Sequence, residues 1–195
     1  MLLLKRGAMF GLDARIALAI FGALSVISGA ALYSAIQESK VVSRLTDINE
    51  FGKAWEQYYL DTGSSLPHSS TLLNSLETLN LIENDASVNN WYGPYLDSLY
   101  IDGSDVNGKW LKDSRSTGTL LRIMQIFNSD KTSVSCTSCY NWIRFDYDVS
   151  DLNIIRAMDR KIDGVEGASS GNFQYQANPG NTVYYTFYKY SSYKK

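Results

Sequence analysis

The chain has 195 residues and a formal net charge of −2; 45% of its residues are hydrophobic and 19% are charged. This charge argues against a strongly basic nucleic-acid surface, so no specific nucleic acid is predicted as a partner. The 14 tyrosines, 4 tryptophans and 7 phenylalanines are typical of proteins that work in assemblies, although tyrosine is equally common in ordinary β-strands.

The first predicted element is an apolar helix near the amino terminus. From Ile16 to Ile36 the chain runs for 21 residues without Asp, Glu, Lys or Arg, and about 20 such residues span a bilayer. The run is longer than the apolar part of an ordinary secretory signal, and no Ala-x-Ala-type cleavage site follows it. We therefore predict a retained transmembrane helix, with most of the polar chain and both cysteines outside the cytoplasm.

Two charges, Asp13 and Arg15, lie just before this apolar run. A lone carboxylate buried in hydrocarbon costs several kcal/mol or takes up a proton. Asp13 therefore needs a partner, and Arg15 is able to neutralise it or to extend toward the lipid headgroups. The simpler interpretation of the segment is a plain single-pass anchor with both charges among the headgroups.

The apolar run passes without a break into an amphipathic pattern from Glu38 to Leu60. Apolar residues recur there close to helical spacing, with charged residues such as Arg44 and Asp47 between them. The apolar positions are Val41, Leu45, Ile48, Trp55 and Tyr59. Gly63 predicts the helix stop. One helix over 14–60 would be about 70 Å long, so its second half is expected to project outward and receive a domain on its apolar stripe.

The rest of the chain predicts one α+β domain of a size that supports a single core. The segment 119–127 fits either a short helix or a strand. The further predicted elements are a strand over 142–147, a helix over 152–162 capped by Asp151, and a terminal hairpin of 172–177 and 182–190.

The amino-terminal pattern resembles that of type IV pilins and type II secretion pseudopilins. Precursors of this family carry a short basic leader, a cleavage site, and an apolar helix with an acid at mature position five. Lys5-Arg6-Gly7-Ala8 is similar to the end of such a leader, and cleavage between Ala8 and Met9 places Asp13 fifth. Cleavage after Gly7 would place Asp13 sixth. The family usually has Gly before the cut and Glu as the acid, where this chain has Ala8 and Asp13.

Two later segments extend the resemblance. Tyr59-Leu60-Asp61-Thr62-Gly63, followed by Pro67, is similar to the place where pseudopilins leave their long helix. Trp91-Tyr92-Gly93-Pro94-Tyr95-Leu96 resembles the Trp-x-Gly-Pro-Tyr-Leu turn of the major pseudopilin. The resemblance implies a pilin-like lollipop with an antiparallel sheet in its globular domain. Its parts are a leader over 1–8, a hydrophobic transmembrane and assembly helix over 9–37, and a domain over 38–195 that includes the amphipathic half of the helix.

The resemblance implies a structural subunit of a type IV pilus or a type II secretion pseudopilus, and not an enzyme. Such a precursor is held in the inner membrane, cut before Met9 by a prepilin peptidase and methylated there. It then polymerises with other copies through inner-membrane assembly machinery into a periplasmic pseudopilus or a surface pilus. In the family the acid pairs with the terminal amine of a neighbour, which implies that Asp13 meets the Met9 amine, with Arg15 as a competing or additional partner.

The sequence leaves the kind of filament open, and it does not separate a major subunit from a minor one. The alternative function is a membrane-anchored extracytoplasmic binding protein that never polymerises. Catalysis has little support, because His68 is the single histidine and no nucleophile motif or phosphate-binding loop accompanies it. We expect His68 in an exposed loop.

The two cysteines form the pattern Cys136-Thr137-Ser138-Cys139. It admits a small disulfide loop, a thiol redox pair, or half of a zinc site. Zinc would lack two ligands, and the following residues do not suggest the helix start that redox pairs occupy. We therefore predict a structural disulfide.

A candidate calcium loop lies at 159–167. Major pseudopilins carry a calcium-binding loop rich in Asp and Gly near the carboxyl end, which makes Asp163 and Glu166 candidate ligands by resemblance. The carboxylates are few, Arg160 and Lys161 intervene, and EF-hand spacing is absent. A plain surface turn is the favoured prediction, and no cofactor is required.

Overall fold

The computed structural model describes residues 7–72, 75–115, 120–126, 140–178, 180 and 183–190, and side chains are described from residue 11 onward except at 120–126 and 140. The chain divides into two compact units, Met1–Val42, here called the amino-terminal unit, and Ser43–Lys195, here called the domain. Helix α1 (Gly7–Thr62) supplies the described part of the amino-terminal unit and the first element of the domain.

Helix α1 ends where the sequence predicts. Gly63 takes the left-handed conformation, with φ of +69°, and its N–H donates to the Tyr59 carbonyl at 2.8 Å. The Thr62 hydroxyl donates to the Tyr58 carbonyl at 2.8 Å. Glycine suits this position because it adopts positive φ without a Cβ clash.

The domain contains a seven-stranded sheet in which every pairing is antiparallel. Its strands are β1 (Ser75–Leu76), β2 (Tyr100–Asp102), β3 (Leu111–Asp113), β4 (Leu120–Ile126), β5 (Tyr140–Asp148), β6 (Phe173–Ala177) and β7 (Val183–Tyr190). The order is β2-β3-β4-β5-β7-β6, and β1 also pairs with β4. The α+β class is confirmed.

Within the ambiguous segment 119–127, the described residues Leu120–Ile126 form a strand, β4, with partners along its length. Six residues of β4 pair with β5, from Leu121 opposite Phe145 to Ile126 opposite Tyr140. Along its other edge, β3 pairs with Leu120 and Leu121, and β1 with Ile123 and Met124. Pairing on both edges identifies these residues as a strand, whereas their mixed hydrophobic period fitted either a helix or a strand.

The predicted terminal hairpin is confirmed, with β6 and β7 paired from Phe173 opposite Tyr188 to Ala177 opposite Tyr184. The last strand, β7, lies between β5 and β6. Eight residues of β7 pair with β5, from Val183 opposite Asp148 to Tyr190 opposite Asn141. The final strand therefore belongs to the interior of the sheet.

The predicted helix over 152–162 is α2 (Leu152–Asp163), preceded by a short 3-10 helix (Val149–Asp151). Asp151 lies at the N-cap position of α2, as predicted, but its side chain makes no capping hydrogen bond. The backbone already turns at residue 149, so the Asp148 carboxylate accepts from the Ser150 N–H at 2.9 Å instead. Gly164 ends α2 with φ of +81°.

The core of the domain forms between α1 and one face of the sheet. Ile48, Phe51, Trp55 and Tyr58 are at most 3% exposed. The Phe51 ring lies 6.1 Å from the Phe145 ring, and the Trp55 ring lies 5.9 Å from the Tyr190 ring. The buried stripe differs from the predicted one, because Leu45 and Tyr59 are only half-buried.

Gly52 has a packing role beside this stripe. A Cβ at Gly52 would lie 2.3 Å from the Tyr190 ring, so only glycine lets that ring rest against the helix backbone. The carboxyl-terminal strand is thereby packed directly on α1.

Candidate functional site

The most unusual surface of the chain is the apolar first part of α1. Every residue from Gly11 to Ile36 is exposed, including large side chains such as Phe21 at 70% and Val26 at 73%. Among the described residues, this is the one helix long and apolar enough to cross a membrane, and none of its apolar window is buried within the chain. Such a surface marks a membrane or protein contact. It is compatible with a single-pass anchor.

Asp13 and Arg15 both lie on this exposed helix. Residues two apart on an α-helix do not face each other, and no hydrogen bond or ion pair joins either side chain to a described residue. The structure therefore does not bring Asp13 and Arg15 together within one chain. Gly22 and Gly29 have open space where a Cβ would lie, which would permit close approach of a second helix.

The predicted processing residues, Ala8 and Met9, lie in the first turn of α1, which begins at Gly7. Their side chains are outside the described part. Cys136 and Cys139 also lie outside the described residues, so the predicted disulfide stays a prediction. His68 is exposed, as expected, and pairs with Leu76 in an isolated β-bridge.

A second feature is a charge network of two buried aspartates, Asp47 and Asp113, and two more exposed arginines, Arg44 and Arg115. Asp113 on β3 accepts from Arg115 Nε at 2.9 Å and Nη2 at 3.1 Å, and from Arg44 Nη1 at 3.2 Å. Asp47 on α1 lies 3.1 Å from Arg115 Nη2 and 3.8 Å from Arg44 Nη1. The network joins helix α1 to the end of β3.

Burial and charge oppose each other at Asp113. Its side chain is 4% exposed, against 24% for Arg44 and 36% for Arg115. Burial would raise the pKa of Asp113, but the hydrogen bonds and charge of Arg115, together with Arg44, hold that pKa below its ordinary value. Asp113 is therefore a buried carboxylate that the fold keeps ionised.

Two tyrosines lie against the arginines of this network. The Arg44 guanidinium lies 5.5 Å from the Tyr147 ring centre, and that of Arg115 lies 6.0 Å from the Tyr100 ring centre, within cation–π range. Burial, with the charge of Asp47, raises the pKa of Tyr100 to about 12. An aromatic ring therefore lies against each guanidinium of the network.

Sequence reasoning missed this network. It placed Arg44 and Asp47 on the polar face of the helix, yet Asp47 is 8% exposed. The only available signal was the i,i+3 spacing of these two residues, which allows a pair on one helix face. Nothing in the sequence marked Asp113 as the partner of a helix 69 residues away.

The segment that resembles the pseudopilin turn forms a packed loop beside α1. Trp91 Nε1 donates to the Asn80 carbonyl at 2.8 Å, and the Tyr95 N–H donates to the Leu81 carbonyl at 2.8 Å. The Tyr95 ring lies 5.9 Å from the Tyr58 ring of α1.

Next to this loop is an open groove of about 350 Å³. Its lining mixes charged, polar and aromatic side chains: Glu50, Lys53, Gln57, Tyr95, Asp97 and Tyr100. Polar groups of both signs around aromatic rings are compatible with a small polar ligand.

The candidate calcium residues have protein partners. Asp163 accepts from the backbone N–H groups of Asn172 at 3.0 Å and Phe173 at 2.8 Å, so it ties the end of α2 to the start of β6. Glu166 pairs with Arg160 at 2.7 Å. Within the described ranges no group of three or more His, Cys, Asp or Glu side chains is arranged to hold a metal ion.

Asp159 is the buried acid of this region. It is fully buried, its Oδ2 accepts from the Gly167 N–H at 2.7 Å, and its Oδ1 has no hydrogen-bond partner in the described part of the chain. Burial raises the pKa of Asp159, and the negative charges of Asp163 and Glu166 raise it further. The hydrogen bond from the Gly167 N–H acts in the other direction and lowers the pKa. The environment therefore makes the ionised form of Asp159 less favourable than that of an exposed aspartate.

Comparison with known protein-family models, with curated proteins and with solved structures finds no match to this chain at the level required for significance.

Proposed function

We propose that this chain is a structural subunit of a filament of the type IV pilus or type II secretion pseudopilus kind. The observation that carries the proposal is the first part of α1, which is apolar, fully exposed and free of charge from Ile16 to Ile36. Such a surface needs lipid or other helices around it. The second half of the same helix carries the core of an α+β domain, which is the arrangement that a filament subunit requires.

Asp13 has the leading role in assembly under this proposal. After cleavage between Ala8 and Met9, the new amine of Met9 lies four residues from the acid, or about 6 Å along the helix axis. A carboxylate from one subunit and the amine of another neutralise each other in a charge-assisted contact inside an apolar bundle. Each subunit is thereby placed at a defined height beside its neighbour.

The proposal also gives an order of events. A prepilin peptidase removes residues 1–8 from a precursor held in the inner membrane with its domain outside the cytoplasm. Inner-membrane assembly machinery then extracts the processed subunit and adds it to the growing filament. No catalytic role is proposed for the chain itself.

Substitution of Asp13 tests the proposal. We expect Asp13→Ala to leave the precursor at its normal level in membranes and to lower the yield of sheared filaments at least tenfold. Asp13→Glu, which keeps the charge, is the matched control and should retain filaments. Immunoblots of membrane and sheared fractions, with electron microscopy, measure both quantities. Normal filaments from Asp13→Ala would refute the proposed role of this acid.

The groove beside Tyr95 favours a second candidate, a membrane-anchored binding protein that never polymerises. In that case the first eight residues are retained and the groove holds a small polar ligand. The intact mass of the chain purified from membranes separates the two functions. Loss of residues 1–8 supports the filament subunit, whereas a retained leader together with an absence of filaments supports the anchor.

A further inference from the structure

We propose that Asp13 of one copy pairs with Arg15 of the next copy, so that each helix offers its acid to one neighbour and its guanidinium to another. The inference rests on the proposed filament function and deepens it, because it names a second contact and its direction. It is argued from the helix geometry and from the charges available to that surface.

The two side chains project from opposite sides of the helix. Successive residues of an α-helix are rotated by about 100°, so residues two apart differ by about 200°. Both residues are exposed and lie within α1, with regular helix on either side. A carboxylate and a guanidinium in this arrangement do not reach each other within one chain.

The surroundings of both charges are apolar. Leu12 beside Asp13 is 62% exposed, and Ile16 beside Arg15 is 50% exposed. Toward the domain, the next charged residue of the helix is Glu38, about 34 Å away along the axis. In an apolar bundle, each charge must be paired to avoid a large desolvation cost. Beyond the terminal amine, the charge available to Asp13 at this depth is Arg15 of another copy.

Opposite charges on opposite faces also determine the kind of assembly. A contact between the acid face of one copy and the basic face of the next is heterologous, because different surfaces of the same molecule meet. Heterologous contacts that do not close into a ring continue as open helical polymers. The same two charges on a single face would favour a closed dimer instead. The arrangement in this helix therefore favours continued addition of subunits.

The axial positions allow Asp13 to have both partners. Asp13 and Arg15 are about 3 Å apart along the axis, so neighbours joined by this pair lie nearly level. In the opposite axial direction, toward the start of the helix, the Met9 amine lies about 6 Å from Asp13 along the axis. A carboxylate has two oxygens that each accept hydrogen bonds, so it accommodates an amine from one copy and a guanidinium from another.

Charge exchange tests the pair in the full chain, expressed with its own assembly machinery. We expect Asp13→Arg and Arg15→Asp each to lower filament yield at least tenfold. Arg15→Lys is the conservative control and should keep assembly.

Co-expression of the two single variants provides an independent measurement. One chain then carries arginines at both positions and the other carries aspartates at both, so alternating copies restore the pairs. We expect filaments that contain both epitope-tagged chains, where neither chain alone forms them. Intact masses show that the leader has been removed, so that assembly is compared only among processed chains.

The outcomes separate this inference from the proposed function. Filaments from the unmodified chain, loss of assembly in Asp13→Ala, and no recovery in the mixture would overturn the Asp13–Arg15 pair alone. Normal filaments from Arg15→Asp would also overturn it. Retention of the leader and no filaments from the unmodified chain would overturn the filament function itself.

Discussion

Replacement of Asp113 by asparagine tests whether the charge network stabilises the domain. Asparagine keeps the shape of the side chain and still offers one oxygen to the Arg115 N–H groups. Its amide nitrogen replaces Oδ2, which in the native chain accepts from Arg115 Nη2 at 3.1 Å and from Arg44 Nη1 at 3.2 Å. The N–H groups of Arg115 Nη2 and Arg44 Nη1 then face the amide N–H groups of the asparagine, and no acceptor lies between them.

The expected loss of stability follows from these two contacts. A hydrogen bond to a charged group contributes about 1.5–3 kcal/mol, so two of them set an upper range of about 3–6 kcal/mol. The side chains of Arg44 and Arg115 are 24% and 36% exposed, and water and Asp47 compensate part of the loss. We expect Asp113→Asn to lower the free energy of unfolding by about 2–3 kcal/mol.

Tryptophan fluorescence during urea unfolding of the full chain in detergent measures this value in the domain alone, because all four tryptophans lie there. Three of them, Trp55, Trp110 and Trp142, are at most 6% exposed. Asp102→Asn is the matched control, since Asp102 lies on the neighbouring strand, is exposed, and accepts from the Ser104 N–H at 2.8 Å a hydrogen bond that the asparagine oxygen keeps. The control should change stability by less than about 0.5 kcal/mol.

The pH dependence provides a second measurement on the same residue. The folded pKa of Asp113 is lower than its unfolded pKa, so its stabilising effect is present above the unfolded value and is lost as pH falls toward the folded value. The difference between the native chain and Asp113→Asn should therefore shrink below about pH 4. Equal unfolding midpoints at pH 7 for the native chain and Asp113→Asn would refute the reasoning.

Two further predictions concern the region after α2. Asp159→Asn should raise the unfolding free energy by about 1 kcal/mol at pH 7, because it removes a charge that burial and the carboxylates of Asp163 and Glu166 disfavour, while its oxygen still accepts from the Gly167 N–H. The folded pKa of Asp159 is raised, so its stabilising effect is greatest at low pH and is lost as pH rises toward the folded value. The gain from asparagine should accordingly disappear toward pH 3, and a variant less stable than the native chain at pH 7 would contradict this. Gly171→Ala should cost at least about 2 kcal/mol, because φ at Gly171 is +92° and a Cβ would lie 2.3 Å from an Asp163 oxygen. Gly63→Ala is its control, since Gly63 has φ of +69° but open space, and urea unfolding should show the smaller loss there.

Local patterns were sufficient to predict α1 and α2, the two α-helices in the described part of the chain. The charge-free run, the amphipathic spacing and Gly63 together predicted helix α1 and its end, because helical hydrogen bonds join residues four apart. The same holds for α2, where Ile155 and Met158 are buried. The terminal hairpin was also predicted, since its two strands are adjacent in the sequence.

The sheet required contacts between distant residues. Residues Leu120–Ile126 form a strand because β5 and two other strands pair with them, and periodicity alone does not report such pairing. Likewise, β7 enters between β5 and β6, although the sequence showed only a hairpin. Asp151 lies at the predicted N-cap position of α2, but the backbone turns earlier, and the side chain that accepts a capping hydrogen bond is Asp148, before the preceding 3-10 helix.

The candidate sites divide in the same way. The spacing of Asp13 and Arg15, once placed in a helix, determines that the two charges project in opposite directions, so the sequence alone was sufficient for that feature. Only the tertiary structure showed that Asp47 is buried against Arg115, and that Asp113 is bound by Arg44 from 69 residues away. The position of a helix is determined mainly by residues that are close together in the sequence. The environment of a buried charge depends instead on the distant segments that the fold packs against it.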